Sequence, residues 1–253
     1  MKIYSWNVNG LRAILGKNFI EFIEEEKPDI LCAQETKIQE SQITDEMRNL
    51  DGYYSYFSFA KKKGYSGVLV YSKIKPNKVY HGFGEDRYEE EGRILVLEYD
   101  DFTLLNIYFP NGQMNEDRLN FKMKFYDETL DFCNKLVEEG KKLVICGDYN
   151  TAHTENDIKN AKANEKNSGF LPMERQWIDK FIDNGYTDSY RFVNKDKIEY
   201  SWWSYRFKAR ERNTGWRIDY HFVSNNLLNQ VLDAKILTNV IGSDHCPILL
   251  DLK

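Results

Sequence analysis

Near its C-terminal end the chain reads Gly242-Ser243-Asp244-His245-Cys246-Pro247. A carboxylate beside an imidazole at the mouth of an apolar run offers two kinds of chemistry: one group holds a hard cation, the other activates water or binds an oxyanion. Alone, so short a motif is more often structural than catalytic. Four further polar islands interrupt apolar stretches in the same manner: Ser5-Trp6-Asn7-Val8-Asn9-Gly10, Gln34-Glu35-Thr36-Lys37, Gly147-Asp148-Tyr149-Asn150 and Gly215-Trp216-Arg217-Ile218-Asp219-Tyr220.

Two or three carboxylates with carboxamides, one histidine and no cysteine make an oxygen-rich set that suits Mg²⁺ or Mn²⁺ better than zinc. Mg²⁺ takes few protein ligands and keeps several waters, so Glu35 with help from Asp244 and Asn7 suffices. Such a cation commonly serves phosphate chemistry, where it neutralises charge on phosphoryl and departing oxygens. His245 then needs a carboxylate that fixes its tautomer and balances its cation, and Asp219 is the best candidate. Asp148 and Asn150, two apart at a strand end, are expected on one side by the strand's period of two. One would orient or deprotonate water while the other donates to the developing phosphorane. Each residue also has a plain reading: Asn7 and Asn150 as turn closers, Asp219 as an ion-pair partner of Arg217 or another arginine, Tyr108 as packing before the turn Phe109-Pro110-Asn111-Gly112. His81, His153 and His221 receive no catalytic role. What favours function is that five islands together supply one phosphoryl-transfer set.

Strands must place these islands. Short β-rich runs are expected at 2–8, 29–33, 67–71, 93–99, 102–109, 143–146, 200–204, 217–223 and 246–252. Between them lie amphipathic helices, marked by Phe19, Phe22 and Ile23, by a long pattern starting near Asn115, and by Trp177, Ile178, Phe181 and Ile182 after Pro172. Many short strands with flanking helices imply two facing sheets covered outside by helices. Each island begins where an apolar strand stops. If those ends share a direction, Asn7, Glu35, Tyr108, Asp148, Asn150, Asp219, Asp244 and His245 meet at one edge.

With 253 residues and 42% hydrophobic content the chain can bury a full core, and one domain over 1–253 is expected. The stretch 150–171, which lacks an obvious pattern, is expected to be a functional loop. A net charge of −5 argues against indiscriminate polyanion binding. Its distribution matters more: Arg206, Lys208, Arg210, Arg212 and Arg217 gather against Glu211 alone. The four cysteines are scattered without a CxxC pair, which suits buried free thiols in a reducing compartment. An N-terminus that enters a strand at Lys2 points to a cytoplasmic protein, and no apolar run is long enough to span a membrane. A monomer is expected.

In order and spacing the segments SWNVNGLRA, PDILCAQETK, GYSGV, YFPNG, GDYNTAH, NSGF, ERQW, GWRIDY and GSDHCP, between Lys2 and Leu252, resemble the exonuclease III family of apurinic/apyrimidinic (AP) endonucleases, within the wider endonuclease/exonuclease/phosphatase superfamily. The resemblance implies an α/β fold, a four-layer αββα sandwich of the DNase I-like kind with two packed mixed β-sheets. It implies a Mg²⁺-dependent DNA repair nuclease, with Mn²⁺ as a substitute, that incises duplex DNA 5′ to abasic sites. It also implies 3′→5′ exonuclease and 3′-phosphodiesterase or phosphatase activity on blocked 3′ ends.

By motif, the resemblance makes Glu35 the principal metal ligand with Asn7 and Asp244 close by. Asp148 becomes the proton donor or acceptor and Asn150 the transition-state stabiliser, and both are candidates for a second metal. His245, paired with Asp219, contacts the scissile phosphate or serves as base, while Tyr108 and Asn111 line the phosphate. Trp202, Trp216 and Ile218 correspond to the wall of the pocket that takes an extruded abasic sugar, which unstacks more readily than an intact nucleotide. Asn164 and Asn167 match the polar loop beside that sugar. The run 206–217, with Arg206, Lys208 and Arg210, is expected to track phosphates, and Lys61-Lys62-Lys63 to grip the other flank. Three positions depart from the pattern: Asn9 stands where some relatives carry Asp, and Met114 and Arg206 stand where some eukaryotic members have a DNA-inserting Arg and a Met. A superfamily enzyme for a small phosphate ester or phospholipid headgroup is the alternative; the basic, tryptophan-rich segment 202–216 fits a polymer backbone better. A DNA-binding module without catalysis conflicts with the presence of Glu35, Asp148, Asp219 and His245.

Overall fold

The computed structural model describes residues 1–83 and 86–253. Among them, twelve strands form two six-stranded sheets. The strands are β1 (Lys2–Asn7), β2 (Ile30–Gln34), β3 (Tyr54–Ser58), β4 (Val68–Ser72), β5 (Lys78–His81), β6 (Ile94–Glu98), β7 (Thr103–Tyr108), β8 (Leu143–Asp148), β9 (Tyr186–Asp188), β10 (Asp219–Ser224), β11 (Val231–Ile236) and β12 (Ile248–Leu252). The first sheet runs β11-β12-β1-β2-β4-β3 and the second β5-β6-β7-β8-β10-β9.

The period of two sorts side chains into three apolar layers. On β1, Ile3 points between the sheets while Tyr4 and Trp6 point outward; on β8, Val144 and Cys146 point inward while Leu143 and Ile145 point outward. The inner layer joins Ile3, Ile30, Val70 and Leu250 of one sheet to Leu97, Leu104, Val144 and Val223 of the other. Helices Leu11–Leu15 and Phe19–Glu26 seal the outer face of the first sheet through Leu11, Ile14, Phe19 and Phe22. Helices Glu116–Glu138 and Pro172–Asp183 seal the second through Phe125, Leu130, Trp177 and Phe181. The long helix starts where the sequence says it should, with the Asn115 side chain accepting from Arg118 N at 2.9 Å. This is the expected αββα sandwich of two mixed sheets.

Eight of the nine expected strands form. The exception is 200–204, which makes only isolated bridges, Trp202 to Trp216 and Trp202 to His245. The aromatic residues there are drawn into loop packing around the site instead of a ladder.

Pairing direction gathers the polar islands. β1 with β2 and β7 with β8 are parallel pairs, so Asn7, Gln34, Tyr108 and Asp148 all sit at C-terminal ends. β10 is antiparallel to β8 and begins at Asp219, opposite Asp148. β12 is antiparallel to β1 and begins opposite Ser5, which leaves residues 243–245 at the same edge. Beneath that edge the sheets are pinned together by Gln34 Nε2 donating to Asn106 Oδ1 at 2.8 Å, while Asn106 Nδ2 reaches the Leu69 carbonyl at 2.9 Å.

Candidate active site

The strand ends surround a cleft of about 350 Å³. On its floor, His245 and Asp219 are joined through Nδ1 and Oδ2 at 2.8 Å, and His245 Nε2 lies 3.8 Å from Asp148 Oδ2. Asp219 Oδ2 also accepts from Ser201 Oγ at 2.6 Å. The alternative of Asp219 as a partner of Arg217 does not hold, because that arginine is paired elsewhere. Burial works against a charged His245, but the Asp219 and Asp148 carboxylates outweigh it and push the imidazole up to about 10. Burial also pushes Asp148 up, to about 7, with His245 opposing and Asp219 assisting. The neighbouring carboxylates thus favour the protonated ring, while burial makes Asp148 a more basic carboxylate than usual.

Asn7 links the two halves of the site. Its Nδ2 donates to Glu35 Oε2 at 3.0 Å and to Asp148 Oδ2 at 2.8 Å, and its Oδ1 accepts from Asn9 N at 3.0 Å. Its oxygen is turned toward the backbone, and its amide hydrogens face the carboxylates. One side chain thus separates Glu35 from Asp148.

The oxygens that would hold a cation lie beside it. Lys37 Nζ rests 3.0 Å from Glu35 Oε1 and 2.5 Å from Asn9 Oδ1, and Asn9 Nδ2 donates to Asp244 Oδ1 at 2.9 Å. Hard oxygens that already enclose an ammonium fit a divalent ion. Asp244 is further fixed by Trp202 Nε1 at 3.1 Å; burial opposes its charge, but His245, Asn9 and Trp202 together hold its carboxyl below the usual range. Asp148, Asp219 and His245 also present ligand atoms within 4.8 Å of one another. Of these three, His245 Nδ1 is hydrogen-bonded to Asp219 Oδ2, which also accepts from Ser201 Oγ, while Nε2 faces Asp148 beyond hydrogen-bond distance.

Asn150 does reach the side of Asp148, for a reason other than strand period. It has left β8 with a left-handed φ of 53°, and its N donates to Asp148 Oδ1 at 2.8 Å in an Asx turn. Its Nδ2 donates to the Phe109 carbonyl at 3.0 Å, and Asn111 Nδ2 donates to its Oδ1 at 3.2 Å. Asn9, Glu35 and Lys37 share the left-handed conformation, with φ of 47°, 56° and 55°. Backbone held there by non-glycine residues stores strain, which concentrates at functional sites. Gly147 is required immediately before Asp148, because a Cβ would lie 1.8 Å from the Ile107 carbonyl oxygen.

Tyr108 also lines the cleft, with the Arg93 guanidinium 4.8 Å from its ring centroid. Burial, then the Glu35 and Asp148 charges, raise its phenol, which remains a hydroxyl donor. An apolar wall of Trp202, Trp216 and Ile218 stands beside these groups, the two indoles meeting edge to face at 5.9 Å. Gly169 allows Trp216 its place, since a Cβ would come 2.8 Å from Cζ3. Asn164 and Asn167 do not line the cleft; they build the turn that delivers Ser168 and Gly169 to it, Asn167 Nδ2 donating to Asn164 Oδ1 at 3.0 Å.

The basic run divides. Arg206 and Lys208 are exposed, and Lys208 pairs with Glu211 at 3.3 Å. Arg217 is fully buried between Asp157 (2.7 Å) and Asp188 (2.8 Å), so the expectation that it tracks phosphates is corrected. Arg210 is turned inward onto three carbonyls of 238–243, not toward a phosphate-facing surface. Met114 does not line the cleft and is 82% exposed, and Phe207, which sequence reasoning passed over, is 83% exposed. Lys37, Gln113 and Ser168 are further lining residues without an assigned role. Of these, Lys37 was visible within its polar island.

An αββα sandwich with acids, carboxamides and an imidazole collected at one edge of its sheets defines a hydrolase of the phosphoesterase type. The chain belongs to the Endonuclease/Exonuclease/phosphatase family, which it matches over residues 4–245. It is 44% identical over 252 residues to an exodeoxyribonuclease of Bacillus subtilis, a match covering 99% of this chain and 98% of that one. It is 43% identical over 252 residues to a DNA-(apurinic or apyrimidinic site) endonuclease of Dictyostelium discoideum, covering 98% and 69%. Among solved structures it resembles an AP endonuclease from Archaeoglobus fulgidus, with TM-score 0.90, 27% identity and coverage of 100% and 99%. A 3′ phosphatase from Neisseria bound to a product DNA hairpin gives TM-score 0.92, 26% identity and the same coverage.

Proposed function

We propose that this chain is a divalent-metal-dependent DNA repair nuclease, Mg²⁺ being the natural ion, that hydrolyses the phosphodiester 5′ to abasic sites in duplex DNA and also processes 3′ ends as exonuclease and phosphatase. The observation that carries this reading is a single cleft in which the Asp219–His245 pair, with Asp148 facing the ring, adjoins the wall of Trp202, Trp216 and Ile218. An apolar wall of two indoles and an isoleucine suits a sugar that has lost its base better than a charged headgroup. Relatives named for abasic-site and exonucleolytic cleavage support it.

Glu35 and Asp244, with Asn9 beside them, would hold the cation, which when bound neutralises charge on the phosphoryl and leaving oxygens. The chain's own groups do the rest. His245, kept cationic by Asp219, donates from Nε2 to a non-bridging phosphate oxygen, and Tyr108 and Asn111 donate from the opposite rim. Asp148, made basic by burial, takes a proton from water as the water oxygen bonds to phosphorus; the bond to the leaving oxygen breaks, and that oxygen is protonated from solvent. Asn7 holds Asp148 in register with Glu35, and Asn150 fixes its second oxygen. Arg206 and Lys208 lie on the exposed segment suited to phosphate contacts along the duplex.

The test is a duplex carrying one tetrahydrofuran abasic analogue, incubated with Mg²⁺ or with EDTA. Metal-dependent incision at the analogue is the expected result. Binding without incision would leave only a DNA-binding module, and absence of both would favour a small phosphate ester as substrate.

A further inference from the structure

Residues 238–243 link β11 to Asp244 and His245 and carry little regular hydrogen bonding of their own. Val240 N reaches the Leu237 carbonyl at 3.0 Å, and Gly242 takes a φ of 122°. The segment is instead held by donors from elsewhere. Arg210 Nη2 donates to the carbonyls of Thr238 (2.9 Å) and Val240 (2.6 Å), and its Nη1 to that of Ser243 (3.2 Å). From the other side Asn18 Nδ2 donates to the Ile241 carbonyl at 2.8 Å and Lys17 Nζ to that of Gly242.

Arg210 is also fixed in place. Its guanidinium carbon sits 4.6 Å from the Trp203 ring centroid, Trp203 Nε1 donates to Asn213 at 3.1 Å, and Trp203 N donates to the Asp244 carbonyl at 3.0 Å. One planar fork therefore reaches three acceptors on the segment that leads directly into Asp244 and His245, a geometry lysine cannot reproduce from a single nitrogen.

We propose that Arg210 is a positioning residue: by clamping 238–243 from the side of the exposed segment 205–208, it sets the placement of the Asp244 carboxylate and the His245 ring. This rests on the catalytic reading of His245 given above. A donor engaged by internal carbonyls releases no counterion when DNA binds, so Arg210 belongs to turnover and not to phosphate affinity.

The experiment compares Arg210→Lys and Arg210→Ala with wild type in single-turnover incision of the abasic duplex, with DNA affinity measured across a salt series. A displacement of about 1 Å at the reacting groups lowers a rate by about a hundredfold. The expected result is a loss of that order in Arg210→Ala, a smaller loss in Arg210→Lys, and unchanged affinity and salt slope in both. Beside Trp203 opens a cavity of about 380 Å³ lined by Tyr200, Arg210, Asn213 and Thr238. Millimolar guanidinium should therefore restore part of the Arg210→Ala rate, and NaCl at equal ionic strength should not. Wild-type turnover in either variant, or a salt slope reduced by about one unit, would overturn the proposal. Amide hydrogen exchange at His245 and Cys246 separates the two claims. If wild type fails to incise, the functional reading fails; faster exchange at those amides in Arg210→Lys still supports the clamp, and unchanged exchange refutes it.

Discussion

Asp219 holds His245 through a 2.8 Å bond at Nδ1, and the opposite nitrogen of the same ring stands 3.8 Å from Asp148. A ring between two buried carboxylates is oriented on one side and drawn toward its protonated form from both. Asp219→Asn removes the charge but keeps the shape. We expect it to lower single-turnover incision by roughly a hundredfold or more while DNA affinity stays within about threefold. His245→Ala and Asp148→Asn should each lose several orders of magnitude. Near-normal turnover in any of the three would remove that residue from the mechanism.

Glu35 offers one oxygen toward Lys37 and the other to Asn7, which places it between the cation pocket and Asp148. Replacing it by Gln removes the charge that draws a divalent ion. Calorimetric titration with Mg²⁺, or Mn²⁺ binding followed by electron paramagnetic resonance, should show affinity reduced by roughly tenfold or more. Equal affinity would move the metal away from this residue.

Arg206 is exposed in the segment that continues from the tryptophan wall, unlike Arg210 and Arg217. Arg206→Ala should reduce the salt slope of DNA binding by about one unit. The same measurement on Arg210 variants should show no change, so the pair separates surface contact from internal support.

His221 is buried on β10 with Nε2 lacking a partner, and burial lowers its pKa to about 3 from an ordinary value of 6.5. Between those values the unfolded chain binds a proton that the folded chain refuses, so its contribution to stability is complete above pH 6.5 and is lost as pH falls toward 3. The slope from this group alone approaches about 1.4 kcal/mol per pH unit within that window. Urea unfolding of wild type and His221→Leu at several pH values should show a flatter profile for the variant. Parallel profiles would mean that the imidazole is protonated in the fold.

The strands that sequence reasoning found and missed divide by position. β1, β2, β4, β6, β7, β8, β10 and β12, all interior to their sheets, announce themselves as apolar runs such as Leu143 to Cys146, since both faces are buried. The four missed strands, β3, β5, β9 and β11, are the four sheet edges. They are short or half exposed, as in the sequence Lys78-Val79-Tyr80-His81, where the pattern is nearly that of a loop. The site followed the interior strands and was legible for the same reason: Glu35, Asp148 and Asp219 each sit where an apolar run ends or begins. What sequence could not show is orientation. Asn7 as a donor depends on Asn9 N, Asn150 depends on an Asx turn, and the inward course of Arg210 and Arg217 depends on carbonyls and carboxylates supplied from remote segments.

The amide pin between Gln34 and Asn106 gives the cleft a shared foundation. Glu35 follows Gln34 directly on one sheet, and Asn106 lies two residues before Tyr108 on the other, so a slide of either layer would carry the would-be cation holder away from the phosphate donors. Neither sheet owns a workable half: β11 and β12 return from the second layer to flank β1, so a chain divided between β4 and β5 would leave the first sheet itself shared between the two pieces.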